Sequence, residues 1–496
     1  MHSTDHQPQA TDRLLYLLFF ASGATALVYE TAWVRILSVE LGSTVDAVTT
    51  VLAVFMAGLA IGSYLFGRMI DRGRNPLLVY AALEIALAVF AVAFVVVRPH
   101  LHRAVMAAMP NERPIAVTWS VTLLLAAAVM LPPTVLMGGT LPVLAKQVVH
   151  SSDTLGARLG ALYGWNILGA VLGCLAQAFV LTVSIGVRGS ILLAATVNAV
   201  LGFTAAVIAA LRRREATPIA PRIPATEAST DALPVSVVLP MIAFASGFTT
   251  LAAEVLWTRL FINFLSANVL VFATVLAAFL AGLGIGSLAI ARRLDRLRRL
   301  DAVVSLTLIA SGLWLMLTAV GQSSLARLFD TIQRWETNHW PGAAPYLTLA
   351  ALFAAILPAA TTFGLTLPLV LRWGNRSRTH LGAGIGRLYA ANTLGSIVGS
   401  VVAGFVLLRF LGVTASLLGL GGMLGVVALL PSRSFTLRIA ALAVAVMGAA
   451  LSFDPIAAKS TYWFNGGFSG VARIPSPAGR PGRPRRGRVA RRSPEP

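Results

Sequence analysis

Long apolar runs with almost no charge limit how this chain can fold. Twelve of them form two sets of six, at about residues 14–37, 45–67, 77–97, 117–144, 159–183 and 190–211, and then at 235–262, 268–290, 302–320, 346–371, 388–411 and 413–430. A helix of about 20 apolar residues crosses the hydrocarbon core of a bilayer. Charged residues make up 12% of the chain, against about 25% in soluble domains. The sequence therefore predicts an all-α integral membrane protein.

A further apolar run at 435–452 is interrupted by Arg438, so the sequence predicts twelve or thirteen transmembrane helices. Beyond it, residues 456–496 hold nine Lys or Arg residues and one acidic residue in a segment rich in Pro, Arg and Gly. Such a composition cannot bury a core, and we expect a disordered basic tail. The tail lies outside the cell if the run at 435–452 crosses the membrane, and inside if it does not.

The positive charges indicate how the chain crosses the membrane. The formal net charge is +20, but most basic residues outside the tail lie in short loops, which favours a topology signal over a nucleic-acid footprint. With segment 1–13 in the cytoplasm, the inner loops hold 21 Lys or Arg residues and the outer loops about seven. We therefore expect a cytoplasmic N-terminus, no nucleic-acid partner, and a Pro-rich cytoplasmic linker at 212–233.

The two sets of spans are copies of each other. Phe20 to Arg35 and Phe244 to Arg259 share nine identities in sixteen positions at an offset of 224. At an offset of 226, residues 155–173 match residues 381–399 at ten of nineteen positions. These matches predict a first six-helix repeat at 14–211 and a second at 234–431. Each repeat has an even number of spans, so both repeats begin on the same side of the membrane. The repeats are therefore parallel, as in two-bundle secondary transporters.

Four pairs of glycines recur at equivalent places in the two halves. Within each pair the glycines are four residues apart, so they lie on one face of a helix and predict close approach of a neighbouring helix. The pairs are Gly58 with Gly62, Gly169 with Gly173, Gly282 with Gly286, and Gly395 with Gly399.

A repeated E-x-x-W-x-R motif is the most specific feature of the sequence. Its residues are Glu30, Trp33 and Arg35 in the first half, and Glu254, Trp257 and Arg259 in the second. A carboxylate inside a spanning helix costs about 3 kcal/mol, so each copy needs a partner or a water-filled cavity. Two interpretations stay open. The tryptophans and arginines fit a structural belt at the membrane interface, whereas the carboxylates fit a path for substrate or protons.

Other polar residues within the spans are candidates for substrate binding. Glu84 has no acidic counterpart in the second half, because an offset of 224 falls on Leu308. A Tyr-x-x-Asn motif occurs in both the fifth and the eleventh span, where such groups either join helices or face a cavity. A cationic substrate requires carboxylates that face inward. The predicted substrate-binding residues are Glu30, Glu84, Glu254, Tyr163, Asn166, Tyr389 and Asn392.

The loops that follow the second and eighth spans each combine an aspartate with arginines. Asp71 is followed by Arg72, and Asp295 by Arg296. At a helix end, such an aspartate can cap neighbouring helix termini and form a latch that breaks when the two halves move. The alternative is that these arginines act only as a positive-inside signal.

No pattern for catalysis, a cofactor or a metal is present in the sequence. The seven histidines lack metal-ligand spacing, and the single cysteine, Cys174, excludes a disulfide or thiolate cluster within the chain. The glycines at 382–386 have neither the spacing of a dinucleotide fingerprint nor a strand before them. We expect no catalytic residue, no cofactor and no metal site.

Four segments together carry a resemblance to a known family: SGATALVYETAWVRIL, GLAIGS, SGFTTLAAEVLWTRLF, and Phe453, Asp454 and Pro455. They resemble the membrane region of the bacterial fused major-facilitator/spermidine-synthase proteins, over about residues 14–470. The resemblance implies a major-facilitator-like fold in a bacterial inner membrane. It also implies that an aminopropyltransferase domain follows the membrane region. In this sequence the basic tail occupies that position. We expect either a truncation or frame change there, or a genuine tail that binds anionic lipid.

The resemblance and the residues together imply a function. We expect a transporter-like module for polyamines or related organic cations, embedded in the lipid bilayer. The alternative is a non-transporting anchor for a separate spermidine synthase (a polyamine aminopropyltransferase). A third possibility, synthase activity in this chain itself, is not expected.

Overall fold

The computed structural model describes residues 10–41, 45–108, 115–149, 155–215, 237–265, 269–294, 296–339, 344–374 and 381–452. These residues form helices joined by short connections. The helices are α1 (Ala10–Leu41), α2 (Val45–Ile70), α3 (Pro76–Ala108), α4 (Ile115–Val148), α5 (Leu155–Leu175), α6 (Gly186–Glu215), α7 (Val238–Leu265), α8 (Val269–Leu294), α9 (Leu300–Val320), α10 (Gln322–His339), α11 (Ala344–Gly374), α12 (Leu381–Val402), α13 (Gly412–Leu429) and α14 (Phe435–Ser452).

Thirteen helices in the described part of the chain are long and apolar enough to cross a membrane. They are all of the helices named above except α10. The run at 435–452 is helical throughout its predicted length, as α14, and packs against α13 and α9. α1 begins at Ala10 and α6 continues to Glu215. Most of the predicted linker and the whole of the predicted tail at 456–496 lie outside the described residues.

The two halves repeat the same packing scheme. In the first half, α1 packs along α5, α2 along α4, and α3 along α6. In the second half, the equivalent pairs are α7 with α12, α8 with α11, and α9 with α13. The halves meet where α5 packs on α8 and where α2 packs on α12. The repeat relates α2 to α8 and α5 to α12, so these two interfaces are equivalent. The predicted architecture of two parallel six-helix repeats is confirmed.

The glycine pairs lie at the closest helix contacts within each half. A Cβ atom at any of them would overlap the facing helix, so a larger residue would push the helices apart. The facing residues are Thr134 and Val135 for the pair on α2, Phe20 and Ala24 for α5, Ala360 and Thr361 for α8, and Phe244 and Phe248 for α12. The close contacts predicted from the glycine spacing are therefore present.

The α5–α6 and α12–α13 connections also repeat, beyond the matches seen in the sequence. α5 is extended by a π-helical segment at Ala176–Leu181, and α12 by one at Ala403–Leu407. Each connection then turns at a glycine with positive φ, 68° at Gly186 and 72° at Gly412. A residue with a Cβ is strained in this backbone conformation, so the turn accounts for glycine at both positions.

α10 is an amphipathic helix that the sequence analysis did not predict. On one face, Phe329 is buried and packs edge-to-face on Phe261 of α7, with ring centroids 6.0 Å apart. On the other face, Asp330 and Arg334 form an exposed ion pair of 2.7 Å, one helical turn apart. A helix with one apolar and one charged face fits the boundary between lipid and water.

Candidate functional site

A central cavity of about 190 Å³ lies between the two halves. It is lined mainly by α1, α2, α4 and α5 of the first half and by the equivalent α7, α8, α11 and α12 of the second. Six of the seven predicted substrate-binding residues line it: Glu30, Tyr163, Asn166, Glu254, Tyr389 and Asn392. The exception is Glu84, which lies behind the wall formed by α1.

The tyrosines and asparagines are arranged with the symmetry of the repeat. Tyr163 and Tyr389 meet edge-to-face across the boundary between the halves, with ring centroids 6.4 Å apart. Asn166 Nδ2 donates to the Phe19 carbonyl of α1, and Asn392 Nδ2 donates to the Ala243 carbonyl of α7, both at 3.0 Å. Each asparagine therefore joins two helices and also faces the cavity, so both sequence-based interpretations of this motif apply.

The two motif carboxylates face each other in the same cavity. Glu30 and Glu254 are 7% and 5% exposed, and they are close enough to interact electrostatically with each other and with the Cys174 thiol. Neither carboxylate has a hydrogen-bond or ion-pair partner among the residues that the structure describes. Because Glu30 lies two turns beyond Gly23 on α1, the pair sits about 10 Å from the level of the asparagines.

The motif tryptophans are not at a membrane interface, and the prediction of an aromatic belt is wrong. Trp33 is fully buried, stacks on Tyr29 with centroids 5.2 Å apart, and contacts Phe94 edge-to-face. Trp257 is also buried, packs on Phe279, and its Nε1 donates to Thr318 Oγ1 at 3.4 Å. Both rings fill the space between helices of their own half, because an indole buries a large apolar area there.

The motif arginines point away from the cavity. Arg35 and Arg259 are exposed on the outer surface of α1 and α7. Each arginine follows its motif glutamate by five residues. This spacing places the arginine and the glutamate on different faces of the helix. The arginines therefore do not neutralise the cavity carboxylates, and their position fits the predicted snorkelling.

Glu84 of α3 belongs to a separate polar cluster in the first half. It is fully buried, and its Oε1 accepts a hydrogen bond of 2.6 Å from Ser22 Oγ of α1. The hydroxyls of Tyr29 and Tyr80 lie close to it. The sequence analysis singled out Glu84 but missed these neighbours, because an isolated serine or tyrosine in an apolar run gives no periodic signal.

Asp71 connects the two halves where α2 ends and α3 begins. Its Oδ1 pairs with Lys146 Nζ of α4 at 2.7 Å, and its Oδ2 accepts from the backbone N–H of Ala383 at 2.6 Å. Ala383 lies in the first turn of α12, so the carboxylate caps a helix N-terminus in the opposite half. Arg72 and Arg296 are exposed, and Asp295 lies outside the described residues.

The halves touch on both sides of the cavity. Toward the end of the bundle where α2 joins α3, Ser287 Oγ donates to the Gly160 carbonyl at 2.8 Å, in addition to the Asp71 contact. Toward the opposite end, where α1 joins α2, Cys174 lies against Ala273 and Leu276 in a small apolar cluster.

No group of three His, Cys, Asp or Glu side chains that could hold a metal ion is found among the described residues. No protein-family model matches the chain, and no curated protein matches its sequence.

Solved structures, by contrast, share its shape. The chain is similar to the human organic anion transporter MFSD10 (TETRAN), at 16% identity and a TM-score of 0.51 over 86% of this chain and 100% of that one. It is also similar to the E. coli fucose:proton symporter FucP, at 13% identity and a TM-score of 0.53 over 86% of this chain and 99% of that one. FucP is a major facilitator superfamily transporter.

A bacterial homologue of the iron transporter ferroportin, in an outward-facing state, gives 14% identity and a TM-score of 0.52 over 88% of this chain and 99% of that one. The chain has a major-facilitator fold. At such identities the likeness speaks to the fold alone. The major-facilitator-like architecture implied by the sequence is thus confirmed, and the link to spermidine synthesis stays a prediction.

Proposed function

We propose that this protein is a secondary transporter that moves small organic cations, with polyamines as the first candidates, by alternating access of the central cavity. The observation that carries the proposal is the pair of facing carboxylates, Glu30 and Glu254, without a cationic partner in the described part of the chain. A buried carboxylate without a partner is costly, and two close together also repel each other. A ligand with positive charge is the simplest group that would stabilise both.

The rest of the cavity supports a ligand with separated amines. The rings of Tyr163 and Tyr389 offer π faces, which attract ammonium groups. Asn166 and Asn392 each use Nδ2 to join helices, so the side-chain oxygen is the atom left to accept from an ammonium group. A volume of about 190 Å³ is below the roughly 300–1,000 Å³ typical of sites for drug-sized ligands, and it favours a small substrate.

Two contacts would have to change in a transport cycle. Opening toward the α1–α2 end requires parting of the apolar layer around Cys174, which has few polar bonds to break. Opening toward the α2–α3 end requires release of Asp71 from Ala383. Substrate binding can favour one state only through a difference in affinity between the two states. Glu30 and Glu254 lie on different halves, so movement of the halves changes the distance between the two carboxylates. The affinity for a cation then differs between the two states.

We also propose that the α2–α3 end faces the cytoplasm of a bacterial cell, with the protein in the inner membrane. Exposed arginines are concentrated at this end: Arg68 in the last turn of α2, Arg72 and Arg74 after it, and Arg292 and Arg293 in the last turn of α8. The cytoplasmic leaflet is anionic and attracts such residues. In this orientation, Asp71 closes the cytoplasmic side of the cavity.

Uptake and efflux of labelled putrescine and spermidine in proteoliposomes tests the proposal. We expect flux by the native chain, and a loss of roughly 10- to 100-fold with Glu30→Gln or Glu254→Gln, because each removes one charge-assisted contact. The matched control is Asp330→Asn, which removes an equally charged but exposed carboxylate on α10 and leaves flux unchanged.

Absence of flux in every condition, with correctly folded protein, would overturn the proposal. It would favour the alternative that the chain anchors a separate aminopropyltransferase. That alternative predicts co-purification of such an enzyme and equal capture by the native chain and by Glu30→Gln.

A further inference from the structure

A second group of unpaired polar atoms lies beside the cavity, in the first half only. Three buried oxygens have no hydrogen-bond partner in the described part of the chain: Glu84 Oε2, Tyr29 Oη and Asn198 Oδ1. A buried polar atom without a partner costs about 1–3 kcal/mol. Such oxygens on three adjoining helices are therefore unusual, and they indicate that something other than the protein satisfies them.

The three oxygens come from three helices that pack together. Tyr29 of α1 interacts electrostatically with Glu84 of α3. Asn198 lies on α6, one turn from Gly202, which approaches the Ala81 carbonyl and Ile85 of α3. Because α3 and α6 run in opposite directions, one turn before Gly202 on α6 corresponds to one turn after Ala81 on α3. Counted from Ile85, which Gly202 also approaches, Asn198 lies one turn further along α3, so it is within about one turn of Glu84.

The chemistry of this cluster suits a small cation. One carboxylate, three hydroxyls and an amide oxygen supply one negative charge and several neutral acceptors. The titratable groups that face Glu84 are Tyr29 from α1 and Tyr80 from α3, while α1 also contributes Ser22 and α6 contributes only the neutral Asn198. No lysine or arginine among the described residues pairs with Glu84. One bound positive charge would therefore neutralise the cluster.

The fold does not require polar residues at this place. The repeat positions of Glu84 and Asn198 in the second half are Leu308 and Leu424, both fully buried. The α9–α13 contact thus has leucine at both of these positions, and its nearby polar link is a hydrogen bond of 3.1 Å from Ser305 Oγ to the Ala428 carbonyl. A buried carboxylate lowers the stability of the fold, and helix packing does not require one at this position. A binding role therefore explains Glu84 better.

We propose that Glu84, Tyr29, Asn198 and Ser22 form a site for one small monovalent cation, Na⁺ or a proton, separate from the Glu30 and Glu254 pair. A sodium ion takes oxygen ligands from the carboxylate, the hydroxyls and the amide. A proton taken up from the cavity binds to the Glu84 carboxylate, which then donates a hydrogen bond to a neighbouring oxygen.

The site is in contact with the central cavity. Ser22 and Asn198 line the cavity wall as well as the cluster, so the cluster borders the cavity although Glu84 itself does not line it. A charge bound at Glu84 also changes the electrostatic potential beside the substrate carboxylates. Coupling of ion and substrate movement rests on the proposed function, whereas binding of the ion does not.

Thermal unfolding of the purified full chain in detergent tests the binding directly. In one arm, NaCl replaces choline chloride at constant ionic strength. In the other, the pH is lowered from mildly alkaline to mildly acidic without sodium. Both arms use a Glu30→Gln, Glu254→Gln background, so that the cavity carboxylates contribute nothing. A ligand that binds only the folded state raises the unfolding temperature in proportion to the logarithm of its concentration once the site is saturated.

We expect a rise of several degrees in one arm, and its loss in Glu84→Gln. A response to sodium identifies Na⁺, and a response to acidification identifies the proton. Asn198→Leu, which copies the second half, weakens the sodium response, while Asp330→Asn leaves either response intact. If Glu84→Gln does not fold, binding of radioactive sodium to the native chain and to Asn198→Leu, and proton uptake on acidification by each, replaces the comparison.

Equal responses in chains with and without Glu84 would overturn the proposal, as would the absence of any response in both arms. Neither result bears on polyamine flux, which is measured separately and involves different carboxylates. Failure of the ion site is therefore distinguishable from failure of the proposed transport function.

Discussion

The two halves of the molecule share their backbone scheme but differ sharply in polarity at one place. α1, α3 and α6 of the first half enclose Tyr29, Tyr80, Glu84 and Asn198. At the repeat positions, α7, α9 and α13 enclose apolar side chains instead, and all of them are buried. These counterparts are Ala253, Val304, Leu308 and Leu424.

Other features are the same in both halves. Each half contributes one glutamate and the tyrosine and asparagine of its Tyr-x-x-Asn motif to the central cavity, and each uses glycine pairs at its closest helix contacts. The features at the boundary between the halves thus follow the repeat, and the polar cluster away from the boundary does not. Duplicated elements build the shared cavity, while the cluster gives one half a property that the other lacks.

The largest expected effect comes from placing the carboxylate in the wrong half. Leu308→Glu would bury an unpaired carboxylate among Ala253, Val304 and Leu424, and we expect it to destabilise the fold by about 3 kcal/mol. Glu84→Leu in the first half leaves hydroxyls unpaired and should cost less, roughly 1–2 kcal/mol. Unfolding temperature and the monodisperse fraction in detergent measure both. Equal losses would show that the first half is not specialised for a carboxylate.

A smaller effect is expected where the halves are equivalent. Gly169→Ala and Gly395→Ala occupy repeat positions, and a methyl group at either would overlap the facing helix. We expect each to lower stability by about 1–3 kcal/mol, and by similar amounts. Gly419→Ala is the control, because its nearest neighbour would be Ser452 Oγ at 3.7 Å and no helix has to move. Loss in one half alone would contradict the equivalence of these contacts.

The smallest effect concerns the contact between the halves at Asp71. Asp71→Asn weakens both the Lys146 pair and the cap on α12, so the α2–α3 end should open more often. Thr140 lines the central cavity and is buried, so its labelling reports opening. We expect maleimide labelling of Thr140→Cys, in a Cys174→Ser background, to become roughly tenfold faster, equivalent to about 1.4 kcal/mol. Arg72→Gln, an exposed neighbour, is the matched control. Equal acceleration by both changes would argue against a specific latch.

The helical bundle and its repeat could be predicted because lipid imposes a simple rule. Every span must be a long apolar helix, so run lengths locate the helices, and duplicated sequence locates the repeat. The convergence of Glu30 with Glu254, and of Tyr163 with Tyr389, also follows from symmetry, since equivalent residues that face the axis meet there. Their roles in binding stay predictions.

Other features depend on packing that the sequence does not display. No apolar run of spanning length covers α10, although Leu325, Phe329 and Ile332 fall on one face of a helix and give a usable signal. The predicted position of Trp33 at a membrane interface is wrong because hydropathy does not distinguish a helix face toward lipid from one toward protein. The partners of Glu84 could not be found, because three helices distant in sequence bring them together.

The π-helical segments at the ends of α5 and α12 affect how the molecule can deform. In such a turn a carbonyl accepts from the N–H five residues further on, and the Gln177 carbonyl accepts both from the Thr182 backbone N–H and, at 2.6 Å, from Thr182 Oγ1. A helix bends most easily at these widened turns. The first adjoins the Cys174 cluster, and the second contacts α2 and α7. The outermost turns of α5 and α12 can therefore bend, while the rest of each helix is held in place by the close glycine contacts.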